Sequence, residues 1–365
     1  MMQNALPPLA INGKFLAAQP TGVHRVAAEL THALSAIARA QPGALDLQLW
    51  VPADAAEAAR AFGLPVRIIA PLRHIPWEQL SIPLRDRDRL LLNLCNIGPV
   101  LRANAITMIH DAQVYATPES YSRPFRMWYK GIQPVLGRHN RAILTVSDHS
   151  RTEIAHYGVC DASKIEVVHN GVDHILRVES EPGIIARLGL EPGRYVVALA
   201  ATQAHKNIAL LARAFARQRL AGLKLVLVGG TKREAFAASG IMLPANAVLS
   251  GRISDGELRA LYEAALCIAF PSRTEGFGLP PLEAMLLGCP AVVAPCGALP
   301  EVCGAAALYA DVDDEEAWVT QLRALADDPA LRARYSALGV EQAHYFTWER
   351  AAQRLLEIVA ERAHG

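Results

Sequence analysis

The stretch FPSRTEGFGLPPLEAMLLG, residues 270–288, sets two carboxylates, Glu275 and Glu283, around a Gly-Phe-Gly turn and a Pro-Pro pair. LCIAFPS reads as a buried strand, RTEGFGL as a glycine-broken loop and PPLEAMLLG as a helix opened by proline. Proline is tolerated in a first helical turn because its missing N–H would have been an orphan there, and Gly288 suits the stop. The amides of Gly276–Leu279, backed by the positive end of a helix dipole, make a receptor for an anion or for polar oxygens. A carboxylate repels a phosphate placed directly on it but accepts well from paired hydroxyls. A ligand with hydroxyls at both ends and phosphates between them, a nucleotide sugar, meets both demands. The plainer reading makes Glu283 a partner of the helix dipole and Glu275 a surface loop residue. On the residues alone the two readings stand level.

The elements that must position these groups come in two series. Apolar runs LAING, LDLQLWV, VRIIA, RLLLNLCN, AITMIHD and AILTVS alternate with helical patterns such as TGVHRVAAELTHALSAIARA. A less apolar passage, RVESEPGIIARLGLEPGR, follows, and then YVVALAAT, LKLVLVGG, AVLSG, LCIAFPS, PAVVAP and ALYADV. Near-continuous apolar strands alternating with helices predict parallel sheets covered on both faces. The expected fold is therefore α/β, two doubly wound Rossmann-like domains whose strand ends share a cleft, the place where ligands of such sheets bind. The domain crossing is expected near 173–190, with domains at 1–175 and 176–345 and a closing helix, 346–365, returning to the first.

A chain of 365 residues exceeds what one core usually fills, and 52% hydrophobic residues supply enough apolar material for two. The formal net charge of +1 gives no field that selects nucleic acid. No apolar run approaches the ~20 residues that span a bilayer. The N-terminus MMQNALPPLAINGK lacks a charged start followed by an apolar core and does not read as a secretory signal. Of the six cysteines, Cys289, Cys296 and Cys303 recur every seven residues, yet no Cys-x-x-Cys pair or nearby histidine pattern accompanies them. They read as ordinary thiols of a protein from a reducing cytoplasm. In RPFRMWYKGIQPVLGRHNR, residues 123–141, Phe125, Trp128 and Tyr129 interleave with basic residues. A peripheral membrane contact is one reading; a domain helix with a solvated basic face is preferred. Asp86-Arg-Asp88 imitates a metal-binding Asp-x-Asp, but a solvated helix end explains that charged run better, and no bound metal is expected.

The 271–314 stretch, PSRTEGFGL through EVCGAAALYADVDD, closely resembles the retaining family 4 glycosyltransferases of GT-B fold and their Glu-x7-Glu motif. Other segments match in order: TGVHR at 21–25, IHD at 109–111, TVSDHS at 145–150, VVHNGVD at 167–173, HKN at 205–207, LSGRISDGELRALYEAA and the closing FTWERAAQRLLEIV. The similarity spans nearly the whole chain. It implies that Glu283 holds ribose hydroxyls, that Glu275 with the amides of Gly276, Phe277, Gly278 and Leu279 holds the transferred sugar, and that Lys206 sits on the diphosphate. It further implies that Gly22 lets a loop approach the phosphates, that Ile253 belongs to the donor site, and that His110 contacts the sugar and acceptor zone; a strand-end histidine is otherwise a structural hydrogen-bonder. The family often has an arginine just before the Lys-Asn pair. Here the run is AATQAHKN, so Thr202 or Arg25 would share the second phosphate contact.

The activity so implied is metal-independent, retaining hexosyl transfer, with no cofactor beyond the substrate. The donor would be a nucleotide-diphosphate sugar, GDP-mannose first and UDP-hexoses next. The acceptor would be a glycan or lipid-linked glycan of polysaccharide or lipopolysaccharide assembly. A nucleotide-sugar epimerase of the same fold and a non-catalytic relative are the rivals, since fold alone does not decide function. Retained Lys206, Glu275 and Glu283 speak against the second.

Overall fold

The computed structural model describes residues 6–18 and 21–362. Met1–Ala5, on which the reading of the N-terminus partly rests, lie outside the described residues, as do Gln19, Pro20 and 363–365.

The chain divides into two compact units, one running to Gly171 and resuming at Thr347, the other Val172–Phe346. The first is built on β1 (Leu9–Asn12), β2 (Leu47–Val51), β3 (Val66–Ile68), β4 (Leu90–Asn93), β5 (Ala105–Met108), β6 (Ala142–Thr145) and β7 (Ile165–Val167). These form one parallel sheet in the order β3-β2-β1-β4-β5-β6-β7. β1, β4, β5 and β6 are buried at every residue, which is why they read as unbroken apolar runs rather than alternating ones.

The second unit carries β8 (Tyr195–Leu199), β9 (Lys224–Val228), β10 (Ala247–Gly251), β11 (Cys267–Phe270), β12 (Ala291–Val293) and β13 (Leu308–Tyr309). Its parallel sheet runs β10-β9-β8-β11-β12-β13. A core of Leu210, Leu211, Phe215, Phe236, Trp318 and Leu322 packs against the strands.

Each sheet reverses its build direction once. The first grows from β1 to β3 and then starts again on the other side with β4; the second grows from β8 to β10 and restarts with β11. The loops leaving the strands at a reversal part to opposite faces and open a crevice at the carboxyl edge. In the first unit those loops follow β1 and β4. In the second they follow β8 and β11.

The helix Trp348–Arg362 belongs to the first unit and packs on the helix Gly22–Ala40. Its start is admitted by Gly171, where a Cβ would lie 2.2 Å from the Trp348 nitrogen. One expectation is corrected: Asp86-Arg-Asp88 is not a helix end but a turn before β4. Arg102, cation-bearing and 3% exposed, donates to the carbonyls of Arg85, Asp86 and Arg89 and holds the turn from within. Asp86 itself pairs with Arg89 at 3.1 Å. No helix among the described residues is long and apolar enough to cross a membrane.

Candidate active site

Lys206 and Glu275 come from the two loops that part at the reversal of the second sheet. The loop after β8 ends in a 3-10 turn, Ala204–Lys206, and Asn207 follows with φ 55. Asn207 Nδ2 donates to Val312 O at 2.8 Å and Pro271 O at 3.3 Å, so one amide ties the loops after β8, β11 and β13 together. The Arg273 N–H donates to His205 O at 2.7 Å as a second tie. Lys206 Nζ is thereby delivered 2.6 Å from Glu275 Oε1. It also stands 5.8 Å from the Phe270 ring centroid.

Glu275 is 8% exposed. Its backbone is braced by the Ala298 N–H, which donates to Glu275 O at 3.0 Å, and by Gly297 (φ 61), where a Cβ would lie 2.5 Å from Glu275 N. The turn Gly276–Gly278 then enters the helix Leu279–Leu286 through Gly278 at φ 110. Pro280 and Pro281 carry no N–H, and the Leu282 N–H is turned to Gly278 O at 3.5 Å. The helix start therefore offers fewer amides than an ordinary one.

Glu283 is buried in this helix, with Oε1 3.1 Å from Nε2 of His174. His174, in the 3-10 turn Asp173–Arg177, is equally buried. Thr202 is half-buried in the loop after β8, and Ile253 half-buried between β10 and the helix Asp255–Ala264. A reciprocal Ser254–Glu257 capping box fixes that helix start.

The remaining predicted residues lie in the first unit. Gly22 opens the helix Gly22–Ala40, and a Cβ there would meet no described atom within 4 Å. Arg25 stands one turn on, its N–H donating to Thr21 O at 2.9 Å. His110 follows β5, 5% exposed, with Nε2 2.9 Å from Leu94 O. A carbonyl only accepts, so Nε2 carries the proton and Nδ1 keeps its lone pair. Burial lowers the pKa of His110 to about 4, so the ring is neutral at pH 7.

Two contributors escaped the sequence reading. His174 directly follows VVHNGVD, but nothing there pointed to Glu283. Gly297 carried the only available signal, a glycine between a strand run and a helix pattern. All six cysteines are free thiols, with burial pushing Cys289 and Cys303 up to about 12. Among the described residues no group of three or more His, Cys, Asp or Glu side chains is arranged to hold a metal ion.

Known proteins resemble the chain over both units. Residues 184–341 match the glycosyl transferases group 1 family and residues 20–175 match glycosyltransferase family 4. O-antigen chain mannosyltransferase B of Escherichia coli is 30% identical over 264 residues, 67% of this chain and 67% of that protein. O-antigen chain mannosyltransferase RfbU of Salmonella typhimurium is 27% identical over 271 residues, 71% of each. The structure of Anabaena Alr3699/HepE in complex with UDP and glucose superposes with a TM-score of 0.71 at 17% identity, covering 98% of this chain and all of that one. With two parallel Rossmann-like sheets, the fold is GT-B. The chain belongs to the group 1 and family 4 glycosyltransferases.

Proposed function

We propose that the protein is a retaining, metal-independent hexosyltransferase that uses a nucleotide-diphosphate sugar and extends a glycan or lipid-linked glycan of surface polysaccharide or lipopolysaccharide. Mannose from GDP-mannose is the first candidate, in keeping with the two mannosyltransferase relatives. UDP-hexoses are the second, in keeping with the UDP and glucose held by the Anabaena protein. The observation that carries the reading is the Lys206–Glu275 pair beside the Gly276–Leu279 turn, at the sheet reversal where such folds take their ligands.

In this reading Glu283 takes the ribose hydroxyls, oriented by His174, while Glu275 and the turn amides take hydroxyls of the transferred sugar. Lys206 neutralises the departing diphosphate, an electrostatic contact that strengthens as the bond from the anomeric carbon to the phosphate oxygen breaks. Thr202, Arg25 and the close approach at Gly22 serve the same phosphates, and Ile253 borders the base. The acceptor hydroxyl attacks the same face, forms the new C–O bond and passes its proton to the leaving phosphate. The loop after β11 has no carboxylate besides Glu275, and a covalent route would need a nucleophile on the opposite face of the sugar. His110, a neutral ring, would hold a sugar hydroxyl through Nδ1 rather than supply a positive charge.

The proposal places the enzyme in the cytoplasm; the helix Arg123–His139 is taken first as a domain helix with a solvated basic face, and a peripheral contact to the inner membrane there is the second reading. There Met127 and Phe125 are exposed beside Arg123 and Lys130. A thermal-shift panel of nucleoside diphosphates tests the donor directly. A ligand at ~100 times its Kd adds about 2.7 kcal/mol of stability, and a flat panel would contradict the reading.

A further inference from the structure

The first sheet has its own reversal, between β1 and β4, and a recess of about 120 Å³ opens there, lined by residues that follow both strands. Its polar floor is a charged pair that the donor reading does not use. Glu78, 2% exposed, accepts from Lys14 Nζ at 2.7 Å and from Asn12 Nδ2 at 3.0 Å. Asn12 continues the network by donating to Asn93 Oδ1 at 2.9 Å, and Asn93 donates to Thr107 Oγ1 at 3.0 Å. Glu78 lies in a single π-helical turn, Trp77–Ser81, a local distortion found frequently at functional sites. Trp77 is fully buried and pins that turn by donating from its indole to Ile69 O at 2.8 Å.

A buried ion pair is a weak stabiliser, because desolvation offsets most of its attraction. This one borders open space, and its hydrogen-bonding capacity exceeds its use. Each Glu78 oxygen has two acceptor sites and one is occupied on each; Lys14 has three donors and gives one to Glu78. The pair is electrically neutral as a unit and presents acceptor and donor side by side. That suits adjacent hydroxyls, each of which both gives and takes a hydrogen bond. An anionic group would face the Glu78 carboxylate, and Lys14 is already neutralised. Among the other walls, Phe15, Leu94, Ile97 and the ring of Tyr129 give an apolar surface for the C–H face of a ring. His24, in the first turn of the helix opened by Gly22, adds a further polar wall.

We propose that this recess binds a neutral, hydroxyl-bearing sugar ring, the terminal unit of the acceptor, and selects it over a phosphorylated one. The assignment rests on the glycosyltransferase reading above. Glu78 and Lys14 hold the hydroxyls and Asn12 orients Glu78.

Saturation-transfer NMR on the full chain tests this, with methyl α-mannopyranoside and methyl α-glucopyranoside as neutral probes and the corresponding hexose phosphates as charged ones. The expected result is transfer to a neutral glycoside and little or none to the phosphates. Glu78→Gln should weaken the neutral probe about tenfold, the loss of one charge-assisted hydrogen bond. Because that change touches a buried pair, Ala18→Phe serves as the second variant: Ala18 is exposed at the rim of the recess, and a phenyl ring there should block the probe while leaving the fold alone. Equal or stronger transfer to the phosphates, no transfer to either neutral glycoside, or a neutral signal unchanged in both variants would overturn the assignment. GDP and UDP titrated calorimetrically into the same samples test the donor reading separately, so the two can fail independently.

Discussion

Lys206 Nζ stands 2.6 Å from Glu275 Oε1, although the residues are 69 positions apart and leave different strands. On the proposed reading, the cation assigned to phosphate and the carboxylate assigned to sugar hydroxyls hold each other in the ligand-free protein. A bound diphosphate would share or take over the ammonium and free Glu275 for the sugar, so that donor binding would itself arm the carboxylate.

Lys206→Ala should therefore reduce turnover about 10²–10³-fold, the usual loss for one preorganised electrostatic contact. Folding should suffer far less, since Lys206 is partly exposed. Steady-state rates alongside thermal unfolding decide it; near wild-type turnover would remove Lys206 from the phosphate.

The two glutamates should fail differently. Glu283→Ala should chiefly weaken nucleoside diphosphate binding, whereas Glu275→Ala should chiefly lower turnover, because contacts to the reacting sugar strengthen as charge develops and ribose contacts do not. His174→Gln, acting through Glu283 as a positioning residue, should raise the diphosphate Kd with little change in kcat. Equal losses of diphosphate affinity at positions 275 and 283 in calorimetry would overturn the division.

Three glycines separate structure from chemistry. Gly278→Ala forces a side chain to φ 110 and sets a Cβ 2.7 Å from Leu299 Cδ2, and should destabilise by about 1–3 kcal/mol. Gly297→Ala should displace Glu275 and reduce turnover as well as stability. Gly22→Ala meets open space, so its melting temperature should be unchanged while turnover falls, as expected where only the phosphates need close approach. A Gly22→Ala enzyme with full activity would argue that the loop stays clear of the donor.

Much of the fold was legible because buried parallel strands are simple in composition: LLLN, AILT and CIAF are apolar at nearly every position and buried at every one. The strand Ile165–Val167 went unread just ahead of the VVHNGVD match, being three residues long and partly exposed. The turn at Asp86 was misread because its cause is Arg102, a distant guanidinium that no local pattern reveals. The glutamates, glycines and lysine of the site were legible as residue types in a recognisable order. Their contacts were not, because Lys206–Glu275, His174–Glu283 and Lys14–Glu78 each join segments distant in sequence that only the fold brings together.

His110 gives a pH signature of its own. Its folded pKa of about 4 lies below the ordinary 6.5, so between those values the unfolded chain binds the extra proton. Stability should rise with pH across that window and be lost on acidification from 6.5 towards 4, by up to about 3 kcal/mol. Urea midpoints measured from pH 4 to 7 should show a shallower slope in His110→Asn than in the wild type. Identical slopes would mean that the buried imidazole does not govern this titration.

Retaining transfer driven by protein cations rather than a metal is read most plainly from the product. The enzyme would be incubated with GDP-mannose, and in parallel with UDP-hexoses, together with a neutral hexose-terminated acceptor in excess EDTA, and NMR would read the first-formed linkage. The expected product is an α-glycoside from the α-linked donor, formed at the same rate with and without EDTA. A β-linked product, or activity abolished by EDTA and restored by manganese, would contradict it.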